Sequence, residues 1–210
     1  MPRAAALLAP LHPTAELHRA LETQVYQVIL ERRPAPIIPR LKELLAKPDP
    51  ALGYINGRLR FWLGWAQEVA GDQVGAWESW RRARSEFEMF LKEQPENCTL
   101  IGYLALTDMG LGDKAAALAL AERAIAANPV EKDAIFGSIS IEILARIAAR
   151  MGEPDRAISA LEKLLLIPAC GALGEIISIT PAVLRLDPMF DPLRNDPRFQ
   201  KLIQSEAPKQ

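Results

Sequence analysis

Residues 98–129 read CTLIGYLALTDMGLGDKAAALALAERAIAANP, and this stretch decides the fold. Apolar residues recur at helical spacing on both sides of the Gly-Asp pair at 112–113, which predicts two helices joined by a tight turn. Ala117 and Ala121 keep one face of the second helix small, and two helices approach closely only where side chains are small. Pro129 ends the second helix. The stretch therefore predicts a helix–turn–helix unit.

The same order of signals recurs before and after this unit. Upstream, a Leu-Gly pair at 63–64 precedes a Gly-Asp turn at 71–72, and Ala76 and Trp80 follow four residues apart. Downstream, a Leu-Ala pair is followed by a Gly-Glu turn at 152–153. Successive turn glycines are separated by 41 and 40 residues. The chain is therefore expected to contain at least three copies of one unit.

This pattern resembles the tetratricopeptide repeat, a helix–turn–helix unit of about 34 residues with an L-G pair, an A-x3-aromatic step and a closing proline. The resemblance implies an all-α fold, a right-handed α-α superhelix of three to four helix pairs with a C-terminal capping helix. HEAT or armadillo repeats, whose period is near 40, stay the alternative. The extra length is expected in the second helix of the first unit, about two turns longer. It is also expected in the first helix of the third unit or the loop before it.

The repeats divide the chain into four parts. They are a flexible tail (1–13), a degenerate helix pair (14–50), three repeats (51–168, as about 51–95, 98–131 and 133–168) and a C-terminal cap (169–210). Three Asp-Pro pairs in the cap predict the starts of turns or helices, because Asp favours the N-cap and Pro the first helical position. The last pair, at 196–197, predicts a helix that ends near Gln204. The cap is expected to cover the last repeat.

The amino-acid sequences of the first repeat and of the cap extend the resemblance. LGWAQEVAGD at 63–72 and LRLDPMFDPLRNDPRFQKL at 184–202 are similar to the repeat-bearing C-terminal tails of some bacterial serine/threonine kinases, adenylate cyclases and winged-helix regulators. Those tails are attached to different effector domains. This sequence contains no Gly-rich phosphate loop and no kinase catalytic motif. The resemblance therefore implies a scaffold or sensor module without catalysis. Because residues 1–11 do not form a clear secretory signal, a cytoplasmic location is expected.

Composition and charge exclude several classes of function. The 25 Lys and Arg residues balance 26 Asp and Glu residues, which gives no reason to expect nucleic acid as a partner. No window approaches the roughly 18 apolar residues of a membrane span. Cys98 and Cys170 form no CxxC pair, and with His12 and His18 they supply too few ligands for structural zinc. We therefore expect neither an enzyme nor a bound metal or cofactor.

The tetratricopeptide pattern also implies where a partner binds. It places residues of each first helix on a concave surface, and a groove with exposed Trp, Tyr and Arg is typical of a peptide-binding hot spot. We therefore expect a peptide or helix of a protein partner to bind in the concave groove, at Trp62, Trp65, Tyr103, Leu106, Met109, Arg146 and Arg150. One alternative is that N-terminal helices cover the two tryptophans and make them core. Another is that Arg146 and Arg150 belong to an ordinary charged surface with Glu142.

Two other functions stay open at this point. The chain is a candidate ligand-sensing module that controls a separate kinase, cyclase or transcription factor. It is also a candidate homo-oligomer, because an apolar stretch lies on the lengthened helix. That stretch contains Phe87, Met89, Phe90 and Leu91.

Overall fold

The computed structural model describes residues 18–167, 170–173 and 177–204, and within these ranges the chain is helical without a β-strand. The α-helices are α1 (His18–Leu30), α2 (Ile38–Ala46), α3 (Ile55–Val69), α4 (Gln73–Glu93), α5 (Cys98–Gly110), α6 (Lys114–Ala127), α7 (Gly137–Arg150), α8 (Pro154–Leu166), α9 (Pro181–Leu186) and α10 (Pro197–Gln204). Short 3₁₀ helices occur at Pro50–Leu52 and Pro188–Leu193. The all-α prediction is confirmed for the described residues.

The helices at the centre of the chain pack in consecutive pairs, α3 with α4, α5 with α6, and α7 with α8. The first helix of each pair ends at a glycine in the left-handed region, with φ of +87° at Gly71, +82° at Gly112 and +76° at Gly152. Only glycine adopts such angles without strain, so these residues end the helix and reverse the chain. The next helix starts at once: the carboxylate of Asp72 accepts a hydrogen bond from the backbone N–H of Gly75 at 2.9 Å.

Helix lengths explain the long repeat period. Helix α4 has 21 residues, whereas α6 has 14 and α8 has 13. The predicted two-turn extension of the first unit is therefore present in α4. In the third unit, α7 has 14 residues against 13 in α5, so its extra length lies in the loop at 128–136. The third unit is therefore longer because of the loop that precedes its first helix.

The Leu-Gly pair at 63–64 has a packing reason. The ring of Trp80 lies between α3 and α5, and a Cβ on Gly64 would stand 2.5 Å from its Nε1. A Cβ on Gly110 would stand 2.6 Å from Cδ2 of the same ring. Trp80 also donates a hydrogen bond from Nε1 to the carbonyl oxygen of Phe61 at 3.3 Å. Glycine on both sides lets one indole fill the space between neighbouring repeats.

The two ends of the chain pack against the repeats. At the C-terminal end, the 3₁₀ helix at 188–193 contacts α7, α10 contacts α8, and α9 contacts α10. Phe190 and Phe199 are fully buried there with their ring centroids 6.2 Å apart. At the N-terminal end, α1 contacts α3. The predicted tail at 1–13 and the last residue of the third predicted repeat, Pro168, lie outside the described residues.

Candidate functional site

The predicted groove residues come together on one surface, but this surface is covered. We call the surface formed by Trp62 and Trp65 of α3, Tyr103 of α5 and Arg146 of α7 the inner face. Six of the seven predicted binding residues have buried side chains: Trp62, Trp65, Tyr103, Leu106, Met109 and Arg146. The prediction that they line an open groove is wrong for this structure. The alternative in which N-terminal helices cover the tryptophans is the one observed.

Helix α1 is the element that covers the tryptophans. The ring centroid of Tyr26 lies 5.8 Å from that of Trp62 and 5.8 Å from that of Trp65. The two indoles stack on each other at 5.4 Å. Aliphatic side chains of α1, among them Val25 and Ile29, are fully buried beside them. An amphipathic helix of the chain itself therefore occupies the place that was predicted for a partner.

A buried ionic network joins α1, α7 and the C-terminal segment. Arg146 is fully buried, and its Nη1 donates to Oδ2 of Asp187 at 2.5 Å. Its Nη2 donates to the Tyr26 hydroxyl at 3.0 Å, and its Nε donates to Oε1 of Glu142 at 2.8 Å. The Tyr26 hydroxyl in turn donates to Oδ2 of Asp187 at 2.7 Å. Tyr26 lies 161 residues from Asp187 and 120 residues from Arg146 in the chain, and all three meet at the Arg146 guanidinium.

Backbone donors complete the coordination of the two carboxylates. Oε2 of Glu142 accepts from the N–H of Ala172 at 2.9 Å, and Oδ1 of Asp187 accepts from the N–H of Met189 at 2.8 Å. Buried charges are tolerated only when they are paired and hydrogen-bonded, and both carboxylates meet that condition. Asp187 therefore has two roles, because the bond to Met189 also caps the 3₁₀ helix that follows it.

Burial and charge together set the protonation of this network. Burial raises the pKa of the Tyr26 phenol well above its ordinary value, so Tyr26 stays a hydrogen-bond donor. Burial also raises the pKa of Glu142, while Arg146 acts in the opposite direction. For Arg146, burial lowers the pKa, but Asp187, Tyr26 and Glu142 raise it more, so the guanidinium stays charged. The network is sealed from solvent, and its arrangement supports a structural role.

Arg150, the seventh predicted binding residue, lies at the edge of the inner face. Its guanidinium is half-buried and binds both carboxylate oxygens of Glu68, at 3.2 and 2.5 Å. A second two-pronged pair joins the ends of the chain, where Arg32 donates to Asp191 at 2.8 and 2.7 Å. Such paired bonds fix orientation more strictly than a single ion pair does. Arg150 therefore ties the third repeat to the first.

The closed inner face leaves two polar atoms without a partner. The Nε1 atoms of Trp62 and Trp65 are buried and make no hydrogen bond to any described residue. A buried donor without an acceptor destabilises a protein by about 1–3 kcal/mol. The closed arrangement of α1 on these rings is therefore not the best one for the two indoles.

Three residues on the outside of α4 form an exposed stripe, which we call the outer stripe: Val74, Trp77 and Arg81. The side chain of Trp77 is 51% exposed and that of Val74 is 82% exposed. The Arg81 guanidinium lies 4.9 Å from the centre of the Trp77 ring. Trp77 is not among the predicted binding residues. The available signal was its place directly after the core residue Ala76, since one residue turns the helix by about 100° and moves the next side chain away from the core face.

Asp108 of α5 is a second residue that sequence reasoning missed. Its side chain is 2% exposed, and Nε of Arg84 lies 3.2 Å from Oδ1 without forming a hydrogen bond. Burial raises the pKa of Asp108 to about 6, although Arg84 acts against this. The folded state thus holds a proton that the unfolded state releases near its ordinary pKa of 3.8. Protonated Asp108 therefore contributes to the stability of the folded state at acid pH, and this contribution is lost as the pH rises towards 6.

The remaining predictions concern the apolar stretch, metals and membranes. Phe87 is fully buried in the core, whereas Met89 is exposed. Within the described ranges, no group of three His, Cys, Asp or Glu side chains could hold a metal ion. None of the helices described combines the length and apolar character that crossing a bilayer requires.

Comparison with known proteins gives no family assignment. No protein-family model, curated protein or solved structure matches this chain.

Proposed function

We propose that this protein is a non-catalytic protein–protein interaction module built from tetratricopeptide-like helix pairs. The observation that carries the proposal is the exposed Trp77 on the outer stripe. Tryptophan and arginine are the side chains most enriched at binding hot spots, and an exposed indole gains most from being covered by a partner. The resemblance of the repeats to scaffold tails supports the same class of function.

The location differs from the one predicted by the family pattern. The inner face, which was predicted to be an open groove, is covered by α1 and by the C-terminal segment, whereas the outer stripe is exposed and a partner reaches it without displacing either. Trp77 follows Val74, and Arg81 follows Trp77, by about one helical turn each, which suits a helix or an extended peptide lying along α4. A ligand-sensing role stays a prediction, which a thermal-shift screen of small molecules tests.

The test is affinity capture from cells that make the protein, with wild type, Val74→Ala/Trp77→Ala and Leu166→Ala as baits. Leu166 is 84% exposed on α8, so it is a matched control for loss of an apolar surface residue elsewhere. We expect the double variant to lose a partner that the control keeps, with circular dichroism showing that both are folded. Loss of a hot-spot residue should cost about 2 kcal/mol or more, or about 30-fold in Kd. Equal capture by all three baits would exclude the outer stripe.

A further inference from the structure

We infer that the inner face is a second binding surface, which fits an amphipathic helix with a tyrosine and a carboxylate, and that α1 is its detachable occupant in the same chain. This inference rests on the proposed function as an interaction module, but it uses a different surface from the outer stripe. A partner can bind at the predicted concave site only after α1 has left it.

The contacts of α1 define the chemistry of the helix that the inner face accepts. Tyr26 covers the stacked pair of Trp62 and Trp65 and reaches Asp187 with its hydroxyl. One turn earlier, Glu22 accepts a hydrogen bond from Arg58 of α3 at 2.5 Å. Charge complementarity therefore selects a carboxylate at one end of the helix and a phenol one turn later. Aliphatic residues that continue the same face complete the pattern.

The unpaired indole donors indicate that α1 is not an ideal ligand for this surface. Trp62 and Trp65, whose rings Tyr26 contacts, each have a buried Nε1–H without an acceptor among the described residues. A competing helix or peptide with a carbonyl or side-chain oxygen at this position satisfies donors that α1 leaves unmet. The closed state thus leaves two donors unsatisfied on the rings that Tyr26 of α1 contacts.

The end of α1 adds a second penalty to the closed state. Helix α1 ends with the same pair of backbone hydrogen bonds as the first helix of a repeat, from Arg33 to Val28 and from Arg32 to Ile29. Gly71 occupies the left-handed position of that motif in the first repeat, but Arg32 occupies it in α1, with φ of +59°. A side chain with a Cβ is strained there.

Arg32, the residue with the strained backbone, also forms the ion pair that connects α1 to the C-terminal segment. The guanidinium of Arg32 binds Asp191, and the two side chains are 46% and 42% exposed. Ion pairs that are this exposed contribute little to stability. Prolines at 34 and 36 follow and separate α1 from α2. The joint at the end of α1 therefore contributes little to holding the closed arrangement, and α1 can leave there as a unit.

The experiment measures binding in trans of the occupant itself. The probe is a fluorescein-labelled peptide of residues 18–33, titrated by anisotropy into the full chain, as wild type and as Tyr26→Phe. The variant weakens α1 in cis but leaves the inner face unchanged, so the fraction with a free inner face rises. We expect the peptide to bind Tyr26→Phe about tenfold more tightly than wild type, which corresponds to about 1.4 kcal/mol. A peptide with Tyr26→Ala is the control and should not bind.

Native-state hydrogen exchange of the wild type is the second measurement. We expect the amides of α1 to exchange through an opening that leaves α3 and α5 protected. Exchange of α1 only by global unfolding, or absence of peptide binding to a folded Tyr26→Phe chain, would overturn the inference. If Tyr26→Phe forms dimers that the peptide dissociates, α1 of a second copy is the occupant, and the surface is supported. The probe does not involve Trp77, so this result and the capture result are independent.

Discussion

Replacement of Arg146 by methionine gives the sharpest test of how the inner face is held. Methionine keeps most of the length and the apolar stem but forms no ion pair. The side chains of Glu142 and Asp187 are 1% and 0% exposed, so the variant leaves two buried carboxylates without their common partner. Removal of one member of a buried ion pair destabilises a protein by about 3–5 kcal/mol. For a chain of this size that loss lowers Tm by about 6–20 °C.

The pH dependence of the loss separates charge from packing. Without Arg146, burial raises the pKa of Glu142 in the folded variant further above the unfolded value, because the group that lowered it is gone. The folded variant then binds more protons than the unfolded chain, so its stability falls as the pH rises. We therefore expect a larger loss at pH 8 than at pH 5. Urea unfolding followed by circular dichroism at both pH values measures the free energies.

Arg150→Met is the matched control for this experiment. Arg150 lies one turn further along α7, is half-buried, and pairs with Glu68 at the edge of the inner face. Its loss should cost about 1 kcal/mol or less, with little dependence on pH. If Arg146→Met costs less than about 1 kcal/mol, or costs the same at both pH values, the network does not hold the two ends as argued.

Two further predictions concern packing and titration. Gly64→Ala should destabilise by about 1–3 kcal/mol because the new Cβ meets the rigid Trp80 ring, whereas Gly102→Ala should be nearly neutral because it meets only the flexible Cδ1 of Ile143; thermal unfolding compares them, and equal losses would refute the argument. Asp108→Asn should gain stability relative to wild type as the pH rises from about 4 to about 6, since only wild type loses a proton held by burial. Urea titrations across this range measure the difference, and a constant difference would contradict the assignment.

Much of the fold could be predicted because its signals are local. A glycine that follows a helical pattern and precedes Asp predicts a left-handed turn and a new N-cap, as found at Gly71 and Asp72. The Asp-Pro pair at 196–197 likewise predicted the start of α10, which ends at Gln204 as expected. These signals depend on φ preferences and on hydrogen bonds within a few residues. They need no knowledge of the rest of the chain.

The site was predicted less well because its residues depend on what covers them. Trp62 and Trp65 were placed correctly on one surface with Arg146, but whether that surface is open depends on α1. Trp77 was passed over although it is the exposed tryptophan of α4. The sequence pattern of one helix shows its faces, and it does not show which face another part of the chain will cover.

The sequence by itself determined the helical class, the turn positions and the unequal lengths of the units, because backbone geometry and capping act over a few residues. Only the tertiary structure decided that the inner face is closed. That outcome depends on Tyr26 and Asp187 meeting Arg146 across 120 and 41 residues of chain. A buried guanidinium is tolerated only when it is paired and hydrogen-bonded, and here two of its partners, Tyr26 and Asp187, come from opposite sides of the repeats in the chain. No local sequence pattern predicts these contacts, since they form only when distant parts of the chain pack together.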